Sequence, residues 1–63
     1  MSQTEQIRAH LDRGAAIDPQ TALRLYGCFR LAARILEIKQ AGVCIKRDWK
    51  TSREGARYAV YRL

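Results

Sequence analysis

Apolar residues recur along the chain first at helical spacing and then at strand spacing. Ile7 and Leu11 stand four apart and give a narrow apolar face to a helix expected over about residues 2–13. Ser2 followed by Glu5 fits a capping box, Thr4 is a second candidate cap, and Gly14 stands where a helix-ending glycine belongs. After the apolar connector Ala15-Ala16-Ile17, Asp18-Pro19 supplies an N-cap and a first helical residue with φ already set. The second helix, expected over 19–26, would bury Ala22, Leu23 and Tyr26 before Gly27 ends it. A third helix is expected over 29–41. Leu31, Ile35 and Ile38 form its apolar stripe with Leu36 alongside, and Lys39 and Gly42 mark its end. From Val43 the period shortens. Val43-Cys44-Ile45 and Tyr58-Ala59-Val60-Tyr61 favour strands, expected at about 43–49 and 56–62. The polar run Lys50-Thr51-Ser52-Arg53-Glu54-Gly55 between them reads as a hairpin tip.

Three helices followed by a two-stranded wing is the layout of a winged helix-turn-helix, mainly α with a β-hairpin, and 63 residues leave room for one such domain over 1–63. Composition adds a direction. Nine arginines and three lysines oppose six acidic residues, for a net charge of +6. The first 18 residues carry a net −1, residues 19–42 carry +3, and residues 43–63 carry +4. The first third is therefore expected to be scaffold and the rest contact surface for a polyanion. No apolar run is long enough to span a bilayer, and the polar start Met1-Ser2-Gln3-Thr4-Glu5-Gln6 lacks a signal-peptide pattern, so no membrane partner and a cytoplasmic location are expected. In that reducing compartment Cys28 and Cys44 are expected as free, part-buried thiols. With a single histidine and no CxxC spacing, no metal or other cofactor is expected, and His10 is read as a surface or boundary residue.

The third helix carries the candidate chemistry. Arg30, Ala33, Arg34 and Glu37 fall at i, i+3, i+4 and i+7, on a stripe away from the apolar one. Arginine can bond the O6 and N7 of guanine, and a small alanine permits close approach to a groove, so Arg30, Ala33 and Arg34 are candidate DNA contacts. The alternative is an ordinary solvated face, on which Glu37 would restrain an arginine. Phe29 is either a core or staple residue or an exposed apolar contact to a thymine methyl or a partner. Lys50, Thr51, Arg53 and Arg57 place cations and a hydroxyl at the hairpin tip, suited to phosphate oxygens, in a loop expected to be loosely ordered. Trp49 and Tyr58 are expected either as a cross-strand aromatic pair or as a base-stacking platform. No paired carboxylates, nucleophile with its base, or phosphate-cradling glycine loop stands in the chain, so it is read as not an enzyme.

The run from Ala22 to Ile35, the following Gly42-Val43-Cys44-Ile45, and the closing Tyr61-Arg62-Leu63 resemble a family of small helix-turn-helix proteins common in phages and prophages. The resemblance covers about residues 5–63. It implies a winged helix and duplex DNA as partner, in a transcriptional regulator or a recombination or excision accessory factor of a mobile element. A homodimer, formed in solution or only on DNA, is left open. The alternative reading is a phage-encoded protein-interaction module that modulates a host protein. Gly27 lies closer to Leu31 than the turn glycine of the commonest helix-turn-helix pattern lies to its second helix. The turn is therefore expected to be compressed or differently built.

Overall fold

The computed structural model describes residues 2–63. Three helices precede a two-stranded antiparallel hairpin: α1 (Gln3–Asp12), α2 (Pro19–Tyr26), α3 (Leu31–Gln40), β1 (Lys46–Thr51) and β2 (Arg57–Arg62). Ser2 caps α1, its hydroxyl accepting from the Glu5 amide at 3.2 Å. Thr4, the other candidate cap, instead donates its hydroxyl to Glu37 on α3 at 2.6 Å. Asp18 caps α2 by accepting from the Thr21 amide at 2.7 Å, with Pro19 at the first helical position. Each cap satisfies an amide that has no partner within its helix.

The core gathers Ile7 and Leu11 of α1, Ile17, Ala22, Cys28, the α3 stripe Leu31, Ile35 and Ile38, and Ala59 and Tyr61 of β2. Tyr26, Val43 and Ile45 pack against it. The strand β2 has backbone partners on both sides. On its far side from β1, Ile17 and Tyr61 exchange two backbone hydrogen bonds of 2.9 and 2.8 Å. The connector between α1 and α2 thereby bridges to the outer edge of β2 and ties the wing to the helices.

Four expectations need correction. Leu23 is exposed. The inward direction of α2 is set by Ala22 and Tyr26, four apart, and Leu23 lies roughly 100° further round the helix. His10 is buried, at 7 % exposure, because it lies between Ile7 and Leu11 on the inner side of α1 and its ring is satisfied there. Its Nε2 lies 2.9 Å from the Ala16 carbonyl, which can only accept, so Nε2 carries the proton in the neutral ring. Nδ1 then accepts from the Tyr26 hydroxyl at 2.7 Å. The third helix starts at Leu31 rather than Phe29, since Arg30 at its N-cap has φ −121 and ψ 64. The first strand runs over Lys46–Thr51 rather than 43–49. Val43 and Ile45 are spent on the core as a connector, and β2 stops pairing at Arg62, opposite Lys46. The two cysteines differ: both are free, Cys28 buried and Cys44 exposed.

Candidate nucleic-acid interface

The turn between α2 and α3 is short because one residue dives and the next is expelled. Gly27 takes the left-handed conformation at φ +64, which only glycine adopts without strain, and ends α2. Cys28 then drops into the core, 2 % exposed, and Phe29 is left pointing outward at 85 % exposure. Of the two readings of Phe29, core or exposed contact, the core one is overturned. Arg30 is exposed at the very start of α3, with no capping bond from its side chain.

The outward side of α3 follows from its buried stripe. Opposite Leu31, Ile35 and Ile38 lie Ala33, Leu36 and Gln40, with Ala32 and Lys39 on the flank toward the wing. Leu36, expected beside the apolar stripe, is 55 % exposed. Arg34 lies on the other flank, toward α1. Its Nη2 meets Glu37 Oε1 at 3.0 Å, and the other oxygen of Glu37 accepts from Thr4. The guanidinium is half-buried, and its Nε is enclosed without a hydrogen-bond partner among the described residues. Arg30 and Arg34, read from sequence as one stripe, therefore stand in different settings: the first open, the second clamped against α1.

Pairing in the hairpin places Lys46 opposite Arg62, Arg47 opposite Tyr61, Asp48 opposite Val60, Trp49 opposite Ala59, Lys50 opposite Tyr58 and Thr51 opposite Arg57. Opposed residues share a face, so Arg47, Trp49, Thr51 and Arg57 stand on one side, and Lys50 and Tyr58 on the other. Trp49 and Tyr58 are thus not a cross-strand pair. Tyr58 instead lines a hollow with Pro19 and Gln20 at the start of α2. Trp49 is flanked by two guanidiniums, with Arg47 at 5.3 Å and Arg57 at 5.2 Å from its ring centroid. On the opposite face Asp48 takes up Arg62 at 3.1 Å.

The tip is a closed turn rather than a loose loop. Ser52 N–H donates to Ala56 O at 2.8 Å, Gly55 N–H to Ser52 O at 3.0 Å, and Ala56 N–H to Ser52 Oγ at 3.2 Å. That leaves Arg53-Glu54-Gly55 as a three-residue loop, with Gly55 at φ +85. Arg53 is exposed at its apex and Lys50 on the face turned away from Trp49.

The Trp49 face is also the face turned toward α3. Tyr61, which shares it, lines one groove with Ala32, Leu36 and Lys39 of α3 and with Arg47 of β1. The chain matches the family described as "Winged helix-turn-helix domain" over residues 2–63. It belongs to that family. A winged helix-turn-helix suggests DNA binding. No curated protein and no solved structure matches this winged helix-turn-helix chain. Among the described residues no helix is long and apolar enough to cross a membrane, and no cluster of three or more His, Cys, Asp or Glu is placed to hold a metal.

Sequence reasoning did not place Arg47 and Lys39 on one groove or Trp49 between two guanidiniums. The alternation of Arg47, Trp49 and Thr51 against Arg57, Ala59 and Tyr61 carries the signal. Reading it requires the register, which depends on recognising a three-residue loop at 53–55.

Proposed function

We propose that this protein binds duplex DNA, with the outward side of α3 in the major groove and the Trp49 face of the wing against the sugar-phosphate backbone. The observation that carries this reading is the groove in which Lys39 of α3 and Arg47 of the wing stand together, with Arg57 further along the same wing face. Cations from two elements converging on one concave strip suit a phosphate backbone. In this reading Arg30 reaches a base edge from the N-terminal end of α3, Ala33 admits the helix to the groove, and Phe29 offers an apolar contact to a thymine methyl. Arg34 contributes when released from Glu37. Thr51 and Arg57 take phosphates on the Trp49 face and Arg53 reaches them from the apex of the turn, while Lys50, on the opposite face, adds only a more distant charge. The resemblance to small phage and prophage proteins supports a transcriptional regulator or a recombination or excision accessory factor of a mobile element, acting in the bacterial cytoplasm. Two copies would pair on a palindromic site.

Titration of a labelled duplex at several salt concentrations tests the proposal. Expected is binding whose log K falls linearly with log salt, with a slope of about −0.9 for each phosphate neutralised. Flat salt dependence, or no binding at low salt, would remove the DNA reading. The exposed Phe29 and Leu36 favour a second reading, a module that docks on a host protein. That reading takes over if duplex binding fails.

A further inference from the structure

We infer that the wing's phosphate-binding element is the stack Arg47–Trp49–Arg57 on the body of the hairpin, with Trp49 as a positioning residue that holds two guanidiniums ready for the backbone of a nucleic acid. The inference rests on the DNA reading above and names the wing residues that serve it. Register supplies the first step. Arg47 precedes Trp49 by two residues on β1, and Arg57 pairs with Thr51, two residues beyond Trp49. The two cations therefore approach the indole from opposite directions along the strand, on the same face of the sheet. Their near-equal distances of 5.3 and 5.2 Å to one centroid fall within the range of cation–π attraction. Two like charges would otherwise spread apart in water. The indole keeps them within roughly 10 Å of one another, since each is about 5 Å from the same ring.

A span of that size takes in neighbouring phosphates of one strand, which carries a charge for about every 3.4 Å of helix axis. Trp49 is 53 % exposed, so the stack is not buried in the core. The indole acts as a spacer between cations rather than as a platform on which a base stacks. Free arginines lose side-chain freedom when they engage phosphates, and prior ordering on the ring reduces that loss. Arg53 and Lys50 lack this ordering. One stands at the apex of the turn, and the other is on the hairpin's far face with Tyr58. Of the wing's cations, the stacked pair carries most of the contribution to affinity.

The test compares W49L, W49F, the double variant R47Q/R57Q and the double variant K50Q/R53Q with the unaltered chain. Each is titrated against one labelled duplex over a salt series, with circular-dichroism melts alongside. W49L, which keeps every charge, is expected to lose roughly fivefold or more in affinity at low salt. W49F keeps an aromatic face and is expected to restore most of it. R47Q/R57Q is expected to flatten the salt slope by nearly two units, and K50Q/R53Q by less. The protein's single tryptophan adds an independent readout, because phosphates engaging the guanidiniums stacked on the ring would change the surroundings of the indole, and with them Trp49 fluorescence, on binding. Wild-type affinity and slope in W49L, or a slope unchanged in R47Q/R57Q while K50Q/R53Q loses it, overturns the inference. If W49L melts out, R47Q/R57Q and the Trp49 fluorescence decide: an unchanged salt slope in R47Q/R57Q, or tryptophan emission unchanged on binding, overturns the inference. If the unaltered chain itself fails to bind duplex at low salt, the DNA reading fails first and the inference with it.

Discussion

Replacing Glu37 by Gln is expected to tighten DNA binding, the opposite of what most substitutions near a binding face do. Glu37 holds Arg34 at 3.0 Å with one oxygen and accepts from Thr4 at 2.6 Å with the other. Glutamine keeps an oxygen for the Thr4 hydroxyl and loses the charge. The stability lost is small. An i, i+3 ion pair whose carboxylate is 45 % exposed contributes about 0.2–0.5 kcal/mol, and weakening the Thr4 bond adds about 1 kcal/mol at most. For a domain of this size that lowers Tm by no more than about 12 °C, at roughly 4–8 °C per kcal/mol. The binding gain has two parts. A carboxylate about 10 Å from a phosphate opposes binding by about 0.4 kcal/mol in bulk water and about 1.7 kcal/mol at an effective dielectric of 20. Removing it is worth roughly twofold to fifteenfold in affinity at low salt, shrinking as the Debye length falls to about 10 Å at 0.1 M. The released Arg34 adds a cation on the same side of α3. Anisotropy titrations of Glu37→Gln and wild type at low and moderate salt, paired with thermal melts, measure both parts. Weaker binding by a variant with a near-native melt would show that the Thr4–Glu37–Arg34 bridge sets the position of α3 on DNA, and the reasoning that treats it as a restraint would fall.

Arg30→Ala is expected to weaken a specific site by about 1–3 kcal/mol with an unchanged melt, while Arg34→Ala has the smaller effect on binding; equal losses in a two-duplex titration would put the two arginines back on one stripe. Ile35→Ala is expected to cost about 2–5 kcal/mol, against under about 1 kcal/mol for its neighbour Leu36→Ala, since their exposures are 2 % and 55 %. Urea or thermal unfolding of the pair reads this directly, and similar midpoints would mean that the buried stripe of α3 is misplaced. Lys50→Ala with Arg53→Ala is expected to weaken cognate and scrambled duplexes by similar factors, because phosphate contacts carry no sequence information; a loss confined to the cognate duplex would make the tip a groove reader.

The helices were legible because their signals are local. Ser2 and Asp18 cap the helices that their side-chain chemistry predicts, and Leu31, Ile35 and Ile38 form the buried stripe that their spacing predicts. Where the reading slipped, the deciding force was tertiary. No local pattern says that Cys28 rather than Phe29 fills the core at the turn, because the choice depends on where Gly27 aims the chain. His10 looked peripheral because the Tyr26 hydroxyl and the Ala16 carbonyl that satisfy it lie 16 and 6 residues away. In the wing, an offset of three residues in the start of β1 hid the Trp49 stack. Side chains alternate faces, so the pairing decides which cations stand together. The candidate site suffered more than the fold for that reason: a core tolerates small errors of boundary, whereas a contact face is defined by direction.

The distribution of exposed apolar side chains bears on the choice between a DNA-binding and a protein-docking surface. Leu23, Leu25, Phe29, Leu36 and Trp49 are all exposed. A docking patch needs such residues to be contiguous. Leu23 and Leu25 are two apart on α2, which turns them roughly 200° from one another, so they face different directions. Phe29 projects from the turn, and Leu36 lies on the outward side of α3, in the groove shared with Lys39 and Arg47. Trp49 is flanked by two guanidiniums. The cations behave differently: Lys39, Arg47 and Arg57 come from separate stretches of chain and converge on one side of α3 and the wing. On this side Phe29 and Leu36 line adjoining hollows that share Ala32 and Tyr61, and Leu36 and Trp49 are interleaved with Lys39, Arg47 and Arg57, so the surface is mixed apolar and cationic, which suits a ligand recognised by its phosphates. In the proposed DNA complex Phe29 and Leu36 would make single apolar contacts in a groove, such as a thymine methyl.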